Sequence, residues 1–210
     1  MPQRRPGFLR SGLIPGLALL AALSFMPSGL VAQDRPIIVI DPGHGGSEAG
    51  VVVGDLVEKD LVLRLAFTTA AEFVREGYDV RLTRTGDYEV PMADRRSHAE
   101  GAGASLLIML HMIQSDDPTR HGAEIYYYED EPASALAARI FGDTLEEDGV
   151  FVVLEPRSWA PLASPTVPTV MIEAGFLTHP VEQRFLQSEA YHRDLARAFV
   201  RASERVLENR

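Results

Sequence analysis

Four side chains in this sequence can bind a metal or transfer a proton, and each lies at a break in an apolar or helical pattern. His44 stands in a Gly-rich turn that follows the apolar run 37–40, and Glu58 opens a stretch with helical spacing. His111 follows the run LLIML, and Glu173 follows TVMI. An open α/β sheet builds its sites where strands end and helices begin, so we expect these four residues to share one site.

The residue types indicate a hydrolytic zinc centre. A catalytic zinc takes three nitrogen or oxygen ligands and keeps one position open for water, and His44, Glu58 and His111 supply such a set. A further group must accept a proton from that water and return one to the leaving amine. Glu173 is placed for this, because a lone carboxylate at the end of an apolar run is costly to bury without a reason.

Each residue also has an interpretation that involves no chemistry. The segment 41–46 can be a tight turn, and Glu58 can be a helix carboxylate favoured by the dipole. His111 can be a core histidine, and Glu173 can pair with an arginine. His121 is a rival metal ligand because it is close to His111 in sequence. The remaining histidines, together with His121, are expected at the surface: His98, His179 and His192.

The hydrophobic pattern alternates between short apolar runs and helical periodicity. It predicts strands at 37–40, 78–82, 105–110, 123–128, 150–154 and 169–172, and helices at 58–76, 91–100, 132–148 and 191–207. In the third helix we expect Leu136, Ile140 and Leu145 on one inward face. Strands that alternate with helices predict the α/β class with a mostly parallel central sheet.

Composition narrows the function. The chain has 210 residues, 46% of them hydrophobic, which suffices for one domain with a substantial core. The formal charge of -10 argues against binding of nucleic acid, which depends on basic surfaces. There is no cysteine, so neither a disulfide framework nor a thiolate metal site can form.

The N-terminus predicts export. Arg4, Arg5 and Arg10 precede an apolar stretch, 13–26, that is too short to span a bilayer comfortably. Small residues follow, and Ala32 is the expected last residue before cleavage. We therefore predict a signal peptide at 1–32 and one catalytic domain at 33–210, periplasmic or secreted, with no stable membrane span after cleavage. An uncleaved anchor is the alternative.

Six motifs in order resemble a known enzyme family. They are IVIDPGHGG, EKDLVLRLA, GYDVRLTRTGD with the following ADRR, a strand that ends in His111, HGAEIYYYE, and PTVMIEAGFLTHPVEQRFL. From about Ile37 to Leu207 the chain resembles the zinc-dependent N-acetylmuramoyl-L-alanine amidases of the amidase-3 group. By this resemblance His44, Glu58 and His111 match the zinc ligands, and Glu173 matches the catalytic glutamate.

The resemblance implies a fold and an activity. The fold is a single-domain twisted mixed sheet flanked by helices, and the reaction is hydrolysis of the amide bond between N-acetylmuramic acid and L-alanine in peptidoglycan. A zinc peptidase that cuts stem peptides is one alternative. A wall-binding pseudoenzyme is another, although such a protein would have no need to keep Glu173.

Two departures from the family pattern carry expectations. The family has His-Ala-Asn or His-Ala-Asp at the third ligand, whereas this chain has His111, Met112 and Ile113, so a polar contact is missing there. Some periplasmic members carry an inserted helix that covers the zinc until an activator protein binds. The interval from His111 to Glu173 is too short for that helix, so we expect activity without an activator. The alternative is that 157–168, which contains Trp159, acts as a lid that a protein activator opens.

Overall fold

The structure is a computed structural model that describes residues 35–164 and 166–209. The predicted signal peptide, residues 1–32, lies outside the described residues and stays a prediction. Within the described ranges, no helix has both the length and the apolar character needed to cross a bilayer.

The centre of the fold is a six-stranded sheet. Its strands are β1 (Ile37–Pro42), β4 (Asp79–Leu82), β5 (Leu106–Ile113), β6 (Ala123–Tyr128), β7 (Val152–Arg157) and β8 (Thr169–Phe176). Their order across the sheet is β4-β1-β5-β8-β6-β7, and every neighbouring pair is parallel except β8 with β6. A small antiparallel ribbon joins β2 (Val52–Val53) and β3 (Leu56–Val57). The predicted mixed, mostly parallel sheet is confirmed.

Helices cover both faces of the sheet. They are α1 (Glu58–Arg75), α2 (Met92–Gly101), α3 (Pro132–Glu147), a short 3-10 helix (Ala160–Leu162), α4 (Glu182–Leu186) and α5 (Glu189–Glu208). The helices α1, α3 and α5 pack on one face, with α5 in contact with both of the others. The helix α2 and the 3-10 helix pack on the opposite face, where they enclose a smaller apolar cluster.

The central strands are apolar on both faces because both faces are covered. All eight residues of β5 are buried. Alternate residues such as Ile108 and Leu110 face the larger helical layer, whereas Leu107 and Met109 face the smaller one. A parallel strand buried on both sides is typically a continuous apolar run, as the sequence here shows.

Three strands extend beyond their predicted ends, and the first of them, β1, continues to Pro42 instead of ending at residue 40. We expected strands to stop before His111 and Glu173, but β5 continues to Ile113 and β8 continues to Phe176. The prediction was wrong because it treated a polar residue as a strand terminus. A polar side chain can remain within a strand when it faces a pocket, and both of these residues line one.

Three smaller expectations also need correction. In α3, Leu136 and Ile140 are only half-buried, and the fully buried face is centred on Ala137 and Phe141. The fifth predicted strand, 150–154, is displaced, since β7 begins at Val152 and ends at Arg157. His192, expected at the surface, is buried on α5. Periodicity locates a helix more reliably than it fixes the rotation of its buried face.

Candidate metal centre and active site

His44 lies in a tight loop directly after β1. Its backbone has φ of 57°, a left-handed conformation that is uncommon for a residue with a side chain. The preceding Gly43 donates its N–H to the Leu110 carbonyl at 2.9 Å. A Cβ on Gly43 would lie 2.3 Å from the Cε1 atom of the His111 ring, so only glycine fits between the loop and that ring. The loop is therefore built to bring His44 against His111.

Two buried arginines fix this loop through its carbonyl groups. Arg84 donates from Nε to the Pro42 carbonyl at 2.9 Å and from Nη2 to the Gly43 carbonyl at 2.8 Å. Arg95 donates from Nη1 to the same Pro42 carbonyl at 2.9 Å and from Nη2 to the His44 carbonyl at 2.7 Å. Three consecutive carbonyls are thus held by planar guanidinium groups, which restricts how His44 can move.

The buried charge of Arg95 is balanced by Asp41. The Nη1 atom of Arg95 lies 2.8 Å from Asp41 Oδ1, and the Thr83 hydroxyl donates to the same oxygen. Asp41 is fully buried on β1, and Arg95 is almost fully buried on α2. A buried ion pair of this kind is costly to break, because removal of one partner leaves the other charge uncompensated.

Glu58 begins α1 and is the centre of the predicted ligand set. Its Oε1 atom lies 3.1 Å from His44 Nε2 and 3.1 Å from His111 Nδ1. The N–H of Met112 donates to the same oxygen at 3.0 Å, and the N–H of Val51 donates to Oε2 at 2.8 Å. The carboxylate is therefore contacted by four groups although only 2% of the side chain is exposed.

These contacts determine the charge of Glu58. Burial by itself would raise the pKa, but the hydrogen bonds from His111 and His44, the charge of His111 and the N–H of Val51 outweigh it and lower the pKa to about 2. Glu58 is consequently ionised at neutral pH, as a metal ligand must be.

The arrangement of the three side chains fits a divalent metal. One donor atom from each of His44, Glu58 and His111 lies within 4.8 Å of the other two. Two ligands bound at about 2.0–2.1 Å in tetrahedral geometry are themselves about 3.3 Å apart, close to the 3.1 Å separations from Glu58. The Nε2 atom of His111 is buried without a hydrogen-bond partner in the described structure. The donor set of two imidazoles and one carboxylate is therefore suited to zinc in composition and spacing.

Glu173 lies beside this group on the neighbouring strand. It is paired in register with His111 on β5 and with Glu124 on β6. Its side chain is half-buried, and within the described residues its Oε2 atom has no hydrogen-bond partner. Burial, and then the charges of Glu58 and Glu124, raise the pKa of Glu173 to about 8. The ion pair with an arginine that was the alternative interpretation does not occur among these residues.

All four predicted residues line one open pocket of about 970 Å³. His44 and Glu58 contribute to one part of its lining, and His111 and Glu173 contribute adjacent side chains from β5 and β8. Ile113 also lines the pocket, so an apolar side chain occupies the position where the family has a polar one. The exposed Gln114 follows it in the lining and offers a polar group one residue later.

The rival ligand His121 lies elsewhere. Its exposed ring is near the ring of His179, with 6.0 Å between centroids, and it is not part of the metal-competent group found among the described residues. The zinc-ligand role of His44, Glu58 and His111 and the catalytic role of Glu173 stay predictions.

The sequence interpretation did not identify the residues that support the site. Arg84 and Arg95 belong to the motifs RLTRTGD and ADRR, which contribute to the family resemblance but assign no role to either arginine. No signal in the single sequence marks these two arginines as buried, because an arginine is exposed by default. Only the fold reveals that both reach the backbone of the His44 loop.

Comparison with known proteins agrees with the fold. The solved structure of the amidase AmiC2 of Nostoc punctiforme has a TM-score of 0.76 and 28% identity over 82% of this chain and 97% of that one. The amidase AmiA of Escherichia coli is 26% identical over 82% of this chain and 76% of its own length. The amidase AmiC of Neisseria meningitidis is 25% identical over 82% of this chain, which spans about half (53%) of that protein. The model of the family Amidase_3, N-acetylmuramoyl-L-alanine amidase, matches residues 38–205, and the chain therefore belongs to this family.

Proposed function

We propose that the chain is a zinc-dependent amidase that hydrolyses the bond between N-acetylmuramic acid and L-alanine in peptidoglycan. The observation that carries this proposal is the placement of two unlike carboxylates in one open pocket. Glu58 is ionised between His44 and His111, and beside them the Oε2 atom of Glu173 has no hydrogen-bond partner among the described residues. Family membership supplies the bond type, and the pocket supplies the groups that such a hydrolysis needs.

Each of the four residues has a distinct task in the proposed reaction. His44, Glu58 and His111 would hold the zinc, which supplies a Lewis acid that polarises the amide carbonyl and acidifies the attacking water. Glu173 accepts a proton from that water and then delivers a proton to the alanine nitrogen as the bond to it breaks. Because the Oε2 atom of Glu173 has no hydrogen-bond partner among the described residues, it is free to take up the proton and return it.

We further propose that the enzyme works without an activator. Between His111 and Glu173 the described residues form the end of β5, then β6, α3, β7 and the 3-10 helix, so α3 is the only α-helix of this interval among them. Residues 160–163, which follow β7, are held in place because Leu162 is buried and Arg96 donates to the carbonyls of Ala160 and Ala163. These contacts argue against that segment acting as a free lid.

Residues 1–32 are proposed to export the protein, which then acts in the periplasm or outside the cell. This location fits a substrate in the cell wall, where the amidase relatives act. Peptidoglycan is accordingly the proposed partner, and a protein activator is the alternative that the experiment below must test.

The proposal is tested by digestion of purified sacculi with the zinc-loaded protein from residue 33 onward, followed by mass spectrometry of the products. We expect free stem peptides that begin with L-Ala, together with intact glycan chains. The matched control is Glu173→Gln, which keeps the size of the side chain. Peptides cut internally would instead indicate a stem-peptide peptidase, and binding to sacculi without products would indicate a pseudoenzyme. Activity that depends on added periplasmic extract would indicate an activator.

A further inference from the structure

The pocket contains two arginines, and only one of them is free to bind a ligand. Arg95 is buried, and its guanidinium already donates to Asp41 and to the carbonyls of Val90, Pro42 and His44. Arg157 differs, because 49% of its side chain is exposed. Its ion pair is with the neighbouring surface residue Glu155 at 3.2 Å, and a surface pair between residues of one strand is weak and easily exchanged.

Arg157 is held at the pocket wall by the residues beneath it. It is the last residue of β7, and its guanidinium carbon lies 5.1 Å from the centre of the Tyr126 ring on the adjacent strand β6. The Tyr126 hydroxyl donates to the buried carboxylate of Glu124, which keeps the ring in place. A cation stacked on a fixed aromatic ring loses less conformational freedom when it binds an anion. Arg157 is therefore positioned in advance, with N–H groups left for a ligand.

Outside the metal group, the other charged side chains of the pocket do not favour an anionic ligand. Glu48 and Glu89 line the pocket as well. Carboxylates repel an anion, and the guanidinium of Arg95 has its N–H groups committed to protein acceptors. Apart from the ligand histidines, Arg157 is the remaining basic side chain of the described lining.

The chemistry of the substrate indicates which part of it carries that anion. This step depends on the proposed function. In N-acetylmuramic acid the lactyl carboxyl group is consumed by the amide bond to L-alanine, so the glycan strand around the cleavage point is uncharged. Free carboxylates occur only on the peptide that follows the alanine. An anionic group of the substrate that enters the pocket must consequently come from the peptide side.

We propose that Arg157 binds a carboxylate of the stem peptide, and that the end of β7 marks the peptide side of the substrate groove. The enzyme would then prefer a peptide whose residue after L-Ala has a free α-carboxylate over one in which that group is a primary amide. The amide is uncharged and cannot form a charge-assisted, two-pronged contact with a guanidinium group.

The test compares two synthetic muramoyl dipeptides in which the terminal carboxyl is blocked as a methylamide, as the next peptide bond blocks it in the stem. They differ only in the α group, which is a free carboxylate in one and a primary amide in the other. Arg157→Ala should raise KM for the carboxylate substrate about fivefold to tenfold and leave kcat and the amide substrate nearly unchanged. Arg157→Lys should recover part of the loss, since it keeps the charge. Arg193→Ala is the matched control, because Arg193 has a similar exposure of 52% on the distant helix α5.

Binding is measured separately from turnover, so that failure of this proposal can be told from failure of the amidase function. Calorimetry with Glu173→Gln should show tighter binding of the carboxylate dipeptide, and addition of Arg157→Ala should remove the difference. If the wild-type protein cleaves neither compound, the amidase proposal fails while the binding comparison still decides the role of Arg157. Equal affinity for the two compounds, or an equal loss for both in Arg157→Ala, would overturn the carboxylate site.

Discussion

Two carboxylates line the same pocket next to His111, yet the surrounding structure treats them in opposite ways. Glu58 accepts contacts from two imidazoles and two backbone N–H groups, and its pKa is lowered to about 2. Glu173 has one oxygen without a partner in the described structure, and its pKa is raised to about 8. Burial opposes ionisation of both side chains, so the partners decide the outcome. The comparison shows how one pocket can hold both a permanent anion and a group that exchanges protons.

The difference follows from where each residue lies in its element. Glu58 stands at the beginning of α1, beside the loop that supplies the Val51 N–H and opposite an irregular part of β5. The register of β5 against β8 shifts between His111 and Ile113, and this leaves the Met112 N–H free to donate to Glu58. Glu173 lies inside β8, where backbone N–H groups serve the neighbouring strands, so none of them stabilises its charge.

The largest effect is expected when the Glu58 half of the site is broken. Glu58→Gln, His44→Ala and His111→Ala each remove one member of a three-ligand set, so zinc content should fall to near zero and activity with it. Metal analysis of the purified variants measures this directly. His121→Ala is the matched control and should keep full zinc content, since His121 lies outside the group. Loss of zinc in His121→Ala with retention in His111→Ala would show that the ligand assignment is wrong.

A change in the Glu173 half should separate catalysis from metal binding. Glu173→Gln should retain zinc and lose activity by about 10²–10⁴-fold, the usual contribution of a general base. The melting temperature should not fall, because the unpartnered oxygen loses no hydrogen bond in the exchange. Zinc analysis, kcat and thermal unfolding on one preparation distinguish the possible results. A variant that loses zinc together with activity would make Glu173 a ligand, and unchanged activity would remove it from the mechanism.

The sequence was sufficient to predict that His44, Glu58, His111 and Glu173 meet in one pocket, because each interrupts a strong pattern. His111 and Glu173 are polar residues in apolar runs, and such breaks can be seen without a structure. The same break gave the wrong strand ends, since the sequence does not say whether a polar residue ends a strand or faces a pocket. The role of Arg95 could not be predicted, because its acceptors are backbone carbonyls more than fifty positions away. Local periodicity contains no information about contacts over such distances.

An intermediate effect is expected when Arg95, which holds the backbone of the His44 loop, is replaced. In Arg95→Lys the charge opposite Asp41 is kept, but one ammonium group cannot also reach the carbonyls of Pro42 and His44. The loop should loosen, and zinc affinity should fall about tenfold, as is usual when a group behind a metal ligand is changed. Competition with a fluorescent chelator measures the affinity. Arg193→Lys serves as control, and an unchanged zinc affinity in Arg95→Lys would mean that the loop holds His44 without this arginine.

The smallest effect concerns a third buried ionisable group, which extends the comparison beyond the pocket. His192 is 3% exposed on α5, and its Nε2 atom lies 2.7 Å from the Leu186 carbonyl. Burial lowers the pKa of His192 and is the largest effect. The Leu186 carbonyl and the charge of Glu189 raise the pKa, whereas the charge of Arg64 lowers it further. The net shift is downward from 6.5. The His192 side chain has one hydrogen-bond partner, whereas the Glu58 carboxylate has four contacts and the Oε2 atom of Glu173 has no partner among the described residues.

The lowered pKa of His192 predicts a specific dependence of stability on pH. Below about pH 6.5 the unfolded chain protonates this histidine while the folded chain does not, so the unfolded state binds more protons. The contribution to the unfolding free energy is therefore complete above pH 6.5 and is lost as the pH falls toward the folded-state pKa. In His192→Gln this loss should be absent. Between pH 7.5 and 5.5 the unfolding free energy, measured with urea, should therefore fall by at most about 1 kcal/mol less in the variant than in wild type. Comparison of each variant with wild type cancels the titration of the pocket residues, which both proteins share.

His98→Gln, at an exposed position on α2, should follow the wild-type profile. If His192→Gln has the same pH profile as wild type, burial of this histidine does not change its protonation. The number of hydrogen-bond partners alone would then not explain how the fold sets the charge of its buried groups.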